Sequence, residues 1–341
     1  MSSSSPVKFL SPEEIASRQS AEVARLKFAE PAFVFKDRAL RLRQLAAAHP
    51  MRDFLVFMAD VADAQHTALA AARTVRLPSE EVLHEAASQG LPPLEFPRWT
   101  PGDEWQEDLQ ALLQALVSRP LPEPTRQVLA ALQSAGAEHL QLQAERLLSG
   151  VMLGLDYASA PLIGAALQVY WTRLVARTDA AYPDRAFSLI DNARICPCCG
   201  SQPVASVARL GGNDGASRYL HCSLCQTEWH MVRIKCSHCE STKGISYQEL
   251  EVANGAARPA AMAPQGAVRA ECCDECGRYL KIVSMEKDPH VDPVADDLAT
   301  VALDLLVSET GQLRHGINYM LLWGEPSDDA TALEHSHAGA P

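Results

Sequence analysis

The first 195 residues contain no cysteine, although the 341-residue chain has ten. No stretch reaches the roughly 18 consecutive apolar residues that a membrane-spanning helix needs, and the start, MSSSSPVKFLSPEEI, lacks the apolar run of a secretory signal. We therefore expect a chain that stays in the reducing cytoplasm without membrane insertion. In that compartment, closely spaced cysteines are more often metal ligands or redox groups than structural disulfides.

Aromatic residues and positive charge are also scarce. Aromatic residues make up 6% of a chain that is 47% hydrophobic, so the core is built largely from Ala and Leu, a composition that favours helices. The net charge of −12 argues against a general affinity for nucleic acid or anionic lipid, because both depend on basic surfaces that release counterions. The length predicts two or three domains.

The segment from about residue 11 to 190 has helical periodicity, with apolar residues recurring at i, i+3, i+4 and i+7. Two such stripes are Phe54, Phe57, Met58 and Val61, and Trp105, Leu109, Leu112, Leu113 and Leu116. Asp103 and Gln106 are expected to form a capping box before the second stripe. The apolar segment APLIGAALQVYWTRLVAR predicts a central buried helix, with Tyr170 and Trp171 as packing groups. We predict an α-helical domain at residues 1–190.

From about Asp191 to Pro289 the pattern changes to short strands separated by turns. The strand-like segments are PVASVARL, SRYLHC, TEWHMVRIKC, GISYQELE and RYLKIVSME. The cysteines lie at the turns. The fold class is therefore α+β, with a mainly helical region followed by a β-rich region.

Eight of the cysteines form four Cys-x-x-Cys pairs: Cys196 with Cys199, Cys222 with Cys225, Cys236 with Cys239, and Cys273 with Cys276. The gaps between successive pairs are 22, 10 and 33 residues. Gaps of 22 and 33 residues are long enough for a hairpin, whereas 10 residues are little more than one strand. The first pair is therefore grouped with the second and the third with the fourth. We predict two tandem ribbons, at residues 191–233 and 234–289.

The spacing within each pair is that of a metal-binding turn. Two such turns on a hairpin enclose a tetrahedral site with metal–sulfur bonds of ~2.3 Å, and metal binding stabilises such small ribbons by roughly 10 kcal/mol or more. A thioredoxin-like redox pair has the same Cys-x-x-Cys spacing, but it needs a strand-to-helix setting that these segments lack. We predict two metal ions per chain, and four sulfurs leave the choice between iron and zinc open.

Two cysteines fall outside this spacing. Cys198 lies inside the first turn and Cys272 precedes the last pair. They are either bystanders or thiols that exchange with a ligand on oxidation. His221, His230 and His238 also lie among the pairs, but eight cysteines already complete two sites, so we expect the histidines to be strand or rim residues.

Residues 290–341 are expected to contain a C-terminal helix and a tail. Asp292 can cap the helix and Pro293 suits its first position. The predicted buried stripe consists of Leu298, Val301, Ala302 and Leu305. The following apolar strip, QLRHGINYMLLWGEP, either docks back on the protein or binds a partner.

Several of these runs carry a resemblance to one family. ICPCCGSQPVAS, RYLHCSLCQTEWHMVRIKCSHCES, ECCDECGRYLKIVSMEKDPHVDPVADDLATVALD and the helical AFVFKDRALRLRQLAAAHPMRDFLVFMA are similar to the formate dehydrogenase accessory protein FdhE family, over nearly the whole chain. The most specific part is TEWHMVRIKC, which generic zinc ribbons do not share. This chain departs from the family at Cys198 and Cys272, where the family usually has other residues, and at Asn318 and Tyr319, where it has Asn-Pro.

The resemblance implies a cytoplasmic assembly factor and not an enzyme. Proteins of this family assist the maturation of respiratory formate dehydrogenases and contact the catalytic subunit, which folds before twin-arginine export. Their cysteine-rich modules are rubredoxin-like and can hold iron, which carries over to the eight paired cysteines of this chain. We expect no nucleic-acid partner, and self-association is left open.

Two other functional classes remain open. A nucleic-acid-binding zinc ribbon would use basic and aromatic groups, but residues 191–290 contain eleven Lys plus Arg and eleven Asp plus Glu. An iron redox protein would need an iron centre near the surface and an electron partner. For contact with an acidic partner, the candidates are Trp229 as an apolar anchor and Arg233 and Lys235 as charges. Trp229 could equally be a core residue between the ribbons.

Overall fold

The computed structural model describes residues 23–210, 217–251 and 264–322. Its N-terminal part is a body of seven helices: α1 (Val34–Ala46), α2 (Arg52–Ala70), α3 (Glu80–Ser88), α4 (Glu104–Val117), α5 (Glu123–Ser134), α6 (Ala137–Ser149) and α7 (Ala160–Ala181). A β-rich part follows. The predicted α+β class is therefore confirmed.

Helix α7 is the central helix of this body, as its apolar sequence predicts. Tyr170 and Trp171 are fully buried in it. The Trp171 indole donates a hydrogen bond to the carbonyl oxygen of Leu94 at 3.2 Å, and the Trp99 indole donates to the Tyr170 hydroxyl at 3.2 Å. The two aromatic rings therefore serve packing.

The predicted capping box before α4 is wrong. Asp103 has helical backbone angles (φ −70°, ψ −9°), and its side chain makes no capping hydrogen bond. Its backbone carbonyl oxygen accepts from the Gln106 amide at 3.0 Å instead. A capping side chain needs an extended N-cap residue, which Asp103 is not. The predicted apolar stripe of α4 is nevertheless buried throughout.

The strands form one sheet in the order β1-β4-β3-β2-β7-β6-β5, with β8 paired to β7. Their bounds are β1 (Leu26–Lys27), β2 (Pro203–Arg209), β3 (Ser217–Cys222), β4 (Glu228–Met231), β5 (Ile245–Gln248), β6 (Val268–Cys273), β7 (Arg278–Ser284) and β8 (Leu313–Arg314). The two ribbons meet where β2 runs parallel to β7, with Val207 opposite Val283. Strand β6, with the sequence VRAECC, was not among the predicted strands, although its first five residues alternate between apolar and polar.

The C-terminal helix is broken into α8 (Pro293–Leu298) and α9 (Val301–Glu309). The carboxylate of Asp292 caps α8 as predicted, accepting from the amides of Val294 and Ala295 at 3.0 and 2.7 Å. The prediction of a single helix is wrong, and of the predicted buried stripe Leu298 is buried, whereas Val301 is half-buried and Ala302 and Leu305 are exposed. Leu305 is 53% exposed, and the buried residues of α9 are Leu303, Asp304 and Val307.

The break between α8 and α9 arises because side chains donate hydrogen bonds to the backbone carbonyl oxygens there. The ammonium group of Lys281, on β7, donates to the carbonyl oxygens of Asp297 and Thr300 at 2.8 and 3.2 Å. The Thr300 hydroxyl donates to the carbonyl oxygen of Asp296 at 2.7 Å. A helix that restarts after such a break presents a different face to the sheet.

The apolar strip after β8 packs against the body, which confirms the docked alternative for the described residues. Tyr319 and Met320 are buried, and the Asn318 amide donates to the Asp297 carboxylate at 2.8 Å. Trp323, from the same predicted strip, lies outside the described residues. In the described part of the chain, no helix combines the length and apolarity needed to cross a membrane.

Candidate metal centres

The first centre lies between the end of the helical body and the β3–β4 turn. The Cys196 and Cys225 sulfurs are 3.5 Å apart, and the Cys199 and Cys222 sulfurs are 3.4 Å apart. All four side chains are buried, none more than 3% exposed. They belong to the same apolar core as α7.

The second centre lies in the second ribbon, at the same edge of the sheet as the first, because β2 and β7 are parallel and each begins just after a cysteine pair. The sulfurs of Cys236 and Cys276 are 3.8 Å apart, and those of Cys239 and Cys273 are 3.6 Å apart. Here Cys239 is exposed and Cys276 is partly exposed. The two centres thus share their sulfur arrangement but differ in contact with solvent.

The donor set of each centre fits a tetrahedral metal ion. Metal–sulfur bonds of ~2.3 Å separate the four sulfurs by about 3.8 Å, whereas a disulfide holds its sulfurs at about 2.05 Å. Within each centre all four sulfurs lie within 4.8 Å of one another. The structure therefore groups the cysteines as their spacing predicts, and each cluster can hold one ion.

Backbone amides support one sulfur in each centre. The amides of Leu224 and Cys225 donate to the Cys222 sulfur at 3.3 and 3.4 Å. At the second centre, the amides of His238 and Cys239 donate to the Cys236 sulfur at the same distances. Such hydrogen bonds favour the thiolate form that binds a metal.

Three of the four thiols of the first centre need a cation in order to ionise. At Cys225 burial raises the pKa, but hydrogen bonds from the neighbouring thiols outweigh it and hold the pKa well below the ordinary value. Burial raises the pKa of Cys196, Cys199 and Cys222 well above the ordinary value. These thiols therefore stay protonated at neutral pH unless a metal ion replaces their protons. The chemistry of the donor set is that of a soft-metal site.

Each Cys-x-x-Cys pair is followed by a residue in the left-handed region. Gly200 and Gly277 occupy it at φ +73° and +64°, and Gln226 and Glu240 occupy it at φ +63°. This conformation strains every residue except glycine. Two of the four turns are therefore strained.

The structure compensates the strain at Gln226. Its side-chain oxygen Oε1 accepts from Arg38 of α1 at 2.7 Å and lies 3.1 Å from a ring nitrogen of His221. Its side-chain nitrogen Nε2 donates to the backbone carbonyl oxygens of Ser223 and Leu224 at 3.3 and 3.0 Å. These contacts were not predicted from the sequence. The signal that could have indicated them is the non-glycine residue directly after Cys225.

The central helix also holds the first centre. The side-chain amide of Gln168, on α7, donates to the carbonyl oxygen of Ser223 at 2.7 Å. The backbone amide of Leu94 donates to the carbonyl oxygen of Cys198 at 3.0 Å. The first centre is thus part of the helical body as well as of the first ribbon.

The two remaining thiols, Cys198 and Cys272, are fully buried. Burial raises the pKa of Cys198 well above the ordinary value and that of Cys272 to about 11. Both groups are therefore neutral at physiological pH. Buried, protonated thiols react slowly with oxidants, which favours the bystander interpretation over ligand exchange.

Replacing either extra thiol is expected to leave the metal content unchanged. In Cys198→Ala and Cys272→Ala, two ions per chain should remain under reducing conditions and after mild peroxide treatment, because neither sulfur has ligand spacing or solvent access. The free energy of unfolding should fall by roughly 1 kcal/mol through lost packing. Elemental analysis checks the content, with Cys196→Ala as the matched change that should lose an ion. Loss of metal from either variant would contradict the assignment.

The three histidines lie in the strands or near the rim of the ribbons. His221 is buried, with a ring nitrogen 3.3 Å from the Glu228 carboxylate, and His230 is exposed. His238 packs against His315 with ring centroids 5.4 Å apart. None of them joins the two sulfur clusters.

Trp229 does not provide an exposed anchor. Its side chain is 3% exposed, and its indole donates to the carbonyl oxygen of Ala193 at 2.9 Å. It belongs to the main core, and β4 lies on the side of the first ribbon away from the second. Trp229 is therefore a core residue, but not one between the ribbons. Arg233 is exposed, and Lys235 is half-buried beside Glu240.

The fold and the two sulfur clusters define a class of protein, in which a helical body carries a β-sheet with two four-cysteine sites able to bind metal. Three family models match in chain order: "FdhE, N-terminal" at residues 23–185, "FdhE, central domain" at 195–233 and "FdhE, C-terminal domain" at 234–321. The chain belongs to the FdhE family, which confirms the resemblance found in the sequence.

Relatives and a solved structure agree with this assignment. A "Protein FdhE homolog" of Edwardsiella ictaluri is 41% identical over 294 residues, covering 86% of this chain and 89% of the relative. That of Cronobacter sakazakii is 38% identical over 317 residues, covering 92% and 96%. The crystal structure of the FdhE protein from Pseudomonas aeruginosa superposes with a TM-score of 0.77 at 36% identity, covering 89% of this chain and all of that one.

Proposed function

We propose that this protein is a non-enzymatic accessory factor for respiratory formate dehydrogenase, which binds the catalytic subunit in the cytoplasm before export. The observation that carries the proposal is membership of the FdhE family over nearly the whole chain. Two metal ions, iron or zinc, stiffen the surface that the sheet presents.

The chemistry of the metal centres supports a binding role. Four thiolates fill the coordination sphere of a tetrahedral ion, so no position remains for substrate or an activated water. A groove beside the first centre contains charged side chains, but Arg209 donates to both oxygens of Glu228 there, at 2.5 and 2.7 Å. Groups engaged in this way are poorly placed for acid–base catalysis.

The linker between the ribbons is the proposed contact with the catalytic subunit. Val232 and Ile234 are 57% and 62% exposed, and Arg233 lies between them. Buried Arg218 fixes the backbone, since its guanidinium donates to the carbonyl oxygens of Arg233 and Lys235 at 3.3 and 2.9 Å. A preordered backbone reduces the entropy lost on binding. The surface fits an acidic partner segment with apolar side chains.

Charge reversal in this linker is expected to weaken the complex. Arg233→Glu should lower capture of the catalytic subunit at least tenfold, because like charges then face each other across the contact. Tagged protein from cells that make the dehydrogenase provides the pull-down, and Arg52→Glu, at another exposed arginine, is the matched control. In a deletion strain, wild type and Arg52→Glu should restore formate oxidation more fully than Arg233→Glu.

Purified protein should not oxidise formate by itself. If the catalytic subunit is absent from the pull-down and deletion leaves formate oxidation intact, the accessory role is wrong. If capture is normal but equal in both variants, the role stands and the linker is not the contact.

A further inference from the structure

The two metal centres differ in how well solvent can reach them. All four cysteines of the first centre are buried, whereas at the second Cys239 is exposed and Cys276 is partly exposed. Metal–thiolate bonds exchange when an incoming ligand can approach the ion. An approach through Cys239 is open, while the first centre is enclosed by the apolar core that contains α7.

The turn that carries Cys239 is also strained. Glu240 follows it at φ +63°, a conformation that favours glycine. Gln226 has the same φ after Cys225, but its buried side chain is held by Arg38 and by two backbone carbonyl oxygens. The Glu240 side chain is exposed and pairs with Lys235. Among the described residues, the contacts that hold Gln226 have no counterpart at Glu240. Release of Cys239 from the ion would therefore relieve the backbone strain at Glu240.

Cations contact both sequence neighbours of Cys239. The Arg194 guanidinium donates to the carbonyl oxygen of His238 at 3.3 Å, and the Lys235 ammonium contacts Glu240. Glu240 balances the charge of Lys235, but Arg194 contacts a neutral carbonyl oxygen, and its positive charge attracts an anionic sulfur ligand. A thiol fits best, because the site already selects a metal that prefers sulfur.

We propose that the second centre exchanges its metal ion with thiols from outside the chain, with Cys239 as the ligand displaced first, while the first centre retains its ion. The incoming thiol loses its proton and forms a metal–sulfur bond. The bond between the ion and Cys239 breaks, and the Cys239 sulfur takes up a proton. The oxidation state of the metal does not change, so no oxidant or reductant is needed. Exchange goes beyond the accessory role and does not depend on it.

Release kinetics of the full-length protein loaded with two zinc ions test this proposal. Glutathione is the incoming thiol, and 4-(2-pyridylazo)resorcinol reports free zinc by its absorbance. One ion per chain should leave at least tenfold faster than the other, at a rate proportional to glutathione concentration. In Cys273→Ser, which lacks the second centre, the fast phase should be absent and the slow phase unchanged.

Two surface variants test the role of Cys239 without disturbing the core. Glu240→Gly removes the backbone strain and should slow the fast phase roughly fivefold. Glu240→Gln keeps the strain, removes the charge and should not slow it. Release of both ions in one phase, a fast phase that ignores glutathione, or a fast phase that persists in Cys273→Ser would overturn the proposal. Equal rates in the two Glu240 variants would overturn the assignment of Cys239.

Discussion

Cys222→Ser is expected to remove one of the two ions and to unfold much of the chain. The Cys222 sulfur lies in the same apolar core as α7, and the other three thiols of its centre are buried as well. Structural metal sites of this kind contribute roughly 10 kcal/mol to the folding of small peptides, which is comparable to the whole stability of a typical domain. Loss of the first ion should therefore abolish cooperative thermal unfolding at the wild-type temperature.

The same change at the second centre should be milder. Cys273→Ser is expected to lose only the second ion and to leave the helical body folded, because Cys239 and Cys276 already contact solvent. Elemental analysis and X-ray absorption count the ions and identify their ligands, and circular dichroism follows the helices. Nitrogen ligands, one ion in the wild type, or loss of both ions from Cys273→Ser would contradict the pairing of the cysteines.

Lys281→Met is expected to lower the free energy of unfolding by about 3–5 kcal/mol, since it breaks a buried ion cluster. The Lys281 ammonium lies 3.1 Å from the Asp297 carboxylate and 2.5 Å from that of Asp304. Arg314 reaches the same two carboxylates at 2.9 and 3.0 Å. Burial opposes ionisation of Asp297, but Arg314 and Lys281 outweigh it and hold the pKa of this carboxyl below its ordinary value.

Methionine fills the space of Lys281 but leaves two buried carboxylates with a single cation. Denaturant titration of the metal-loaded protein measures the loss, and Arg52→Met is the control, since Arg52 and its partner Asp53 are largely exposed. That control should change the stability by less than about 1 kcal/mol. A change below about 1 kcal/mol in Lys281→Met would show that the cluster contributes little.

Local patterns were sufficient to predict several parts of the structure. The spacing of apolar residues located α4 and α7, and the gaps between cysteine pairs grouped the sulfurs of both clusters. Asp292 before Pro293 identified the start of α8. In each case the residues that decide the structure are close together in the sequence.

Features that depend on distant residues were missed. The break after Leu298 arises from Lys281, which belongs to β7, and Asp296, in the first turn of α8, binds Arg41 of α1 at 2.6 and 2.9 Å. The exposure of Cys239 could not be inferred either, because its spacing from Cys236 is the same as the spacing within the cysteine pairs of the buried first centre. What covers a turn is decided by elements far along the chain.

The parallel pairing of β2 with β7 also determines how the sheet responds to mechanical force. The helical body enters the sheet at the start of β2, and α8 leaves from the end of β7. Because the two strands are parallel, tension applied at these points loads their hydrogen bonds together in shear, whereas an antiparallel pair pulled from one end separates bond by bond. Tension between the body and α8 is therefore carried by the middle of the sheet. The second thiolate cluster lies outside that load path, whereas Cys196 and Cys199 of the first cluster lie on it, between α7 and β2.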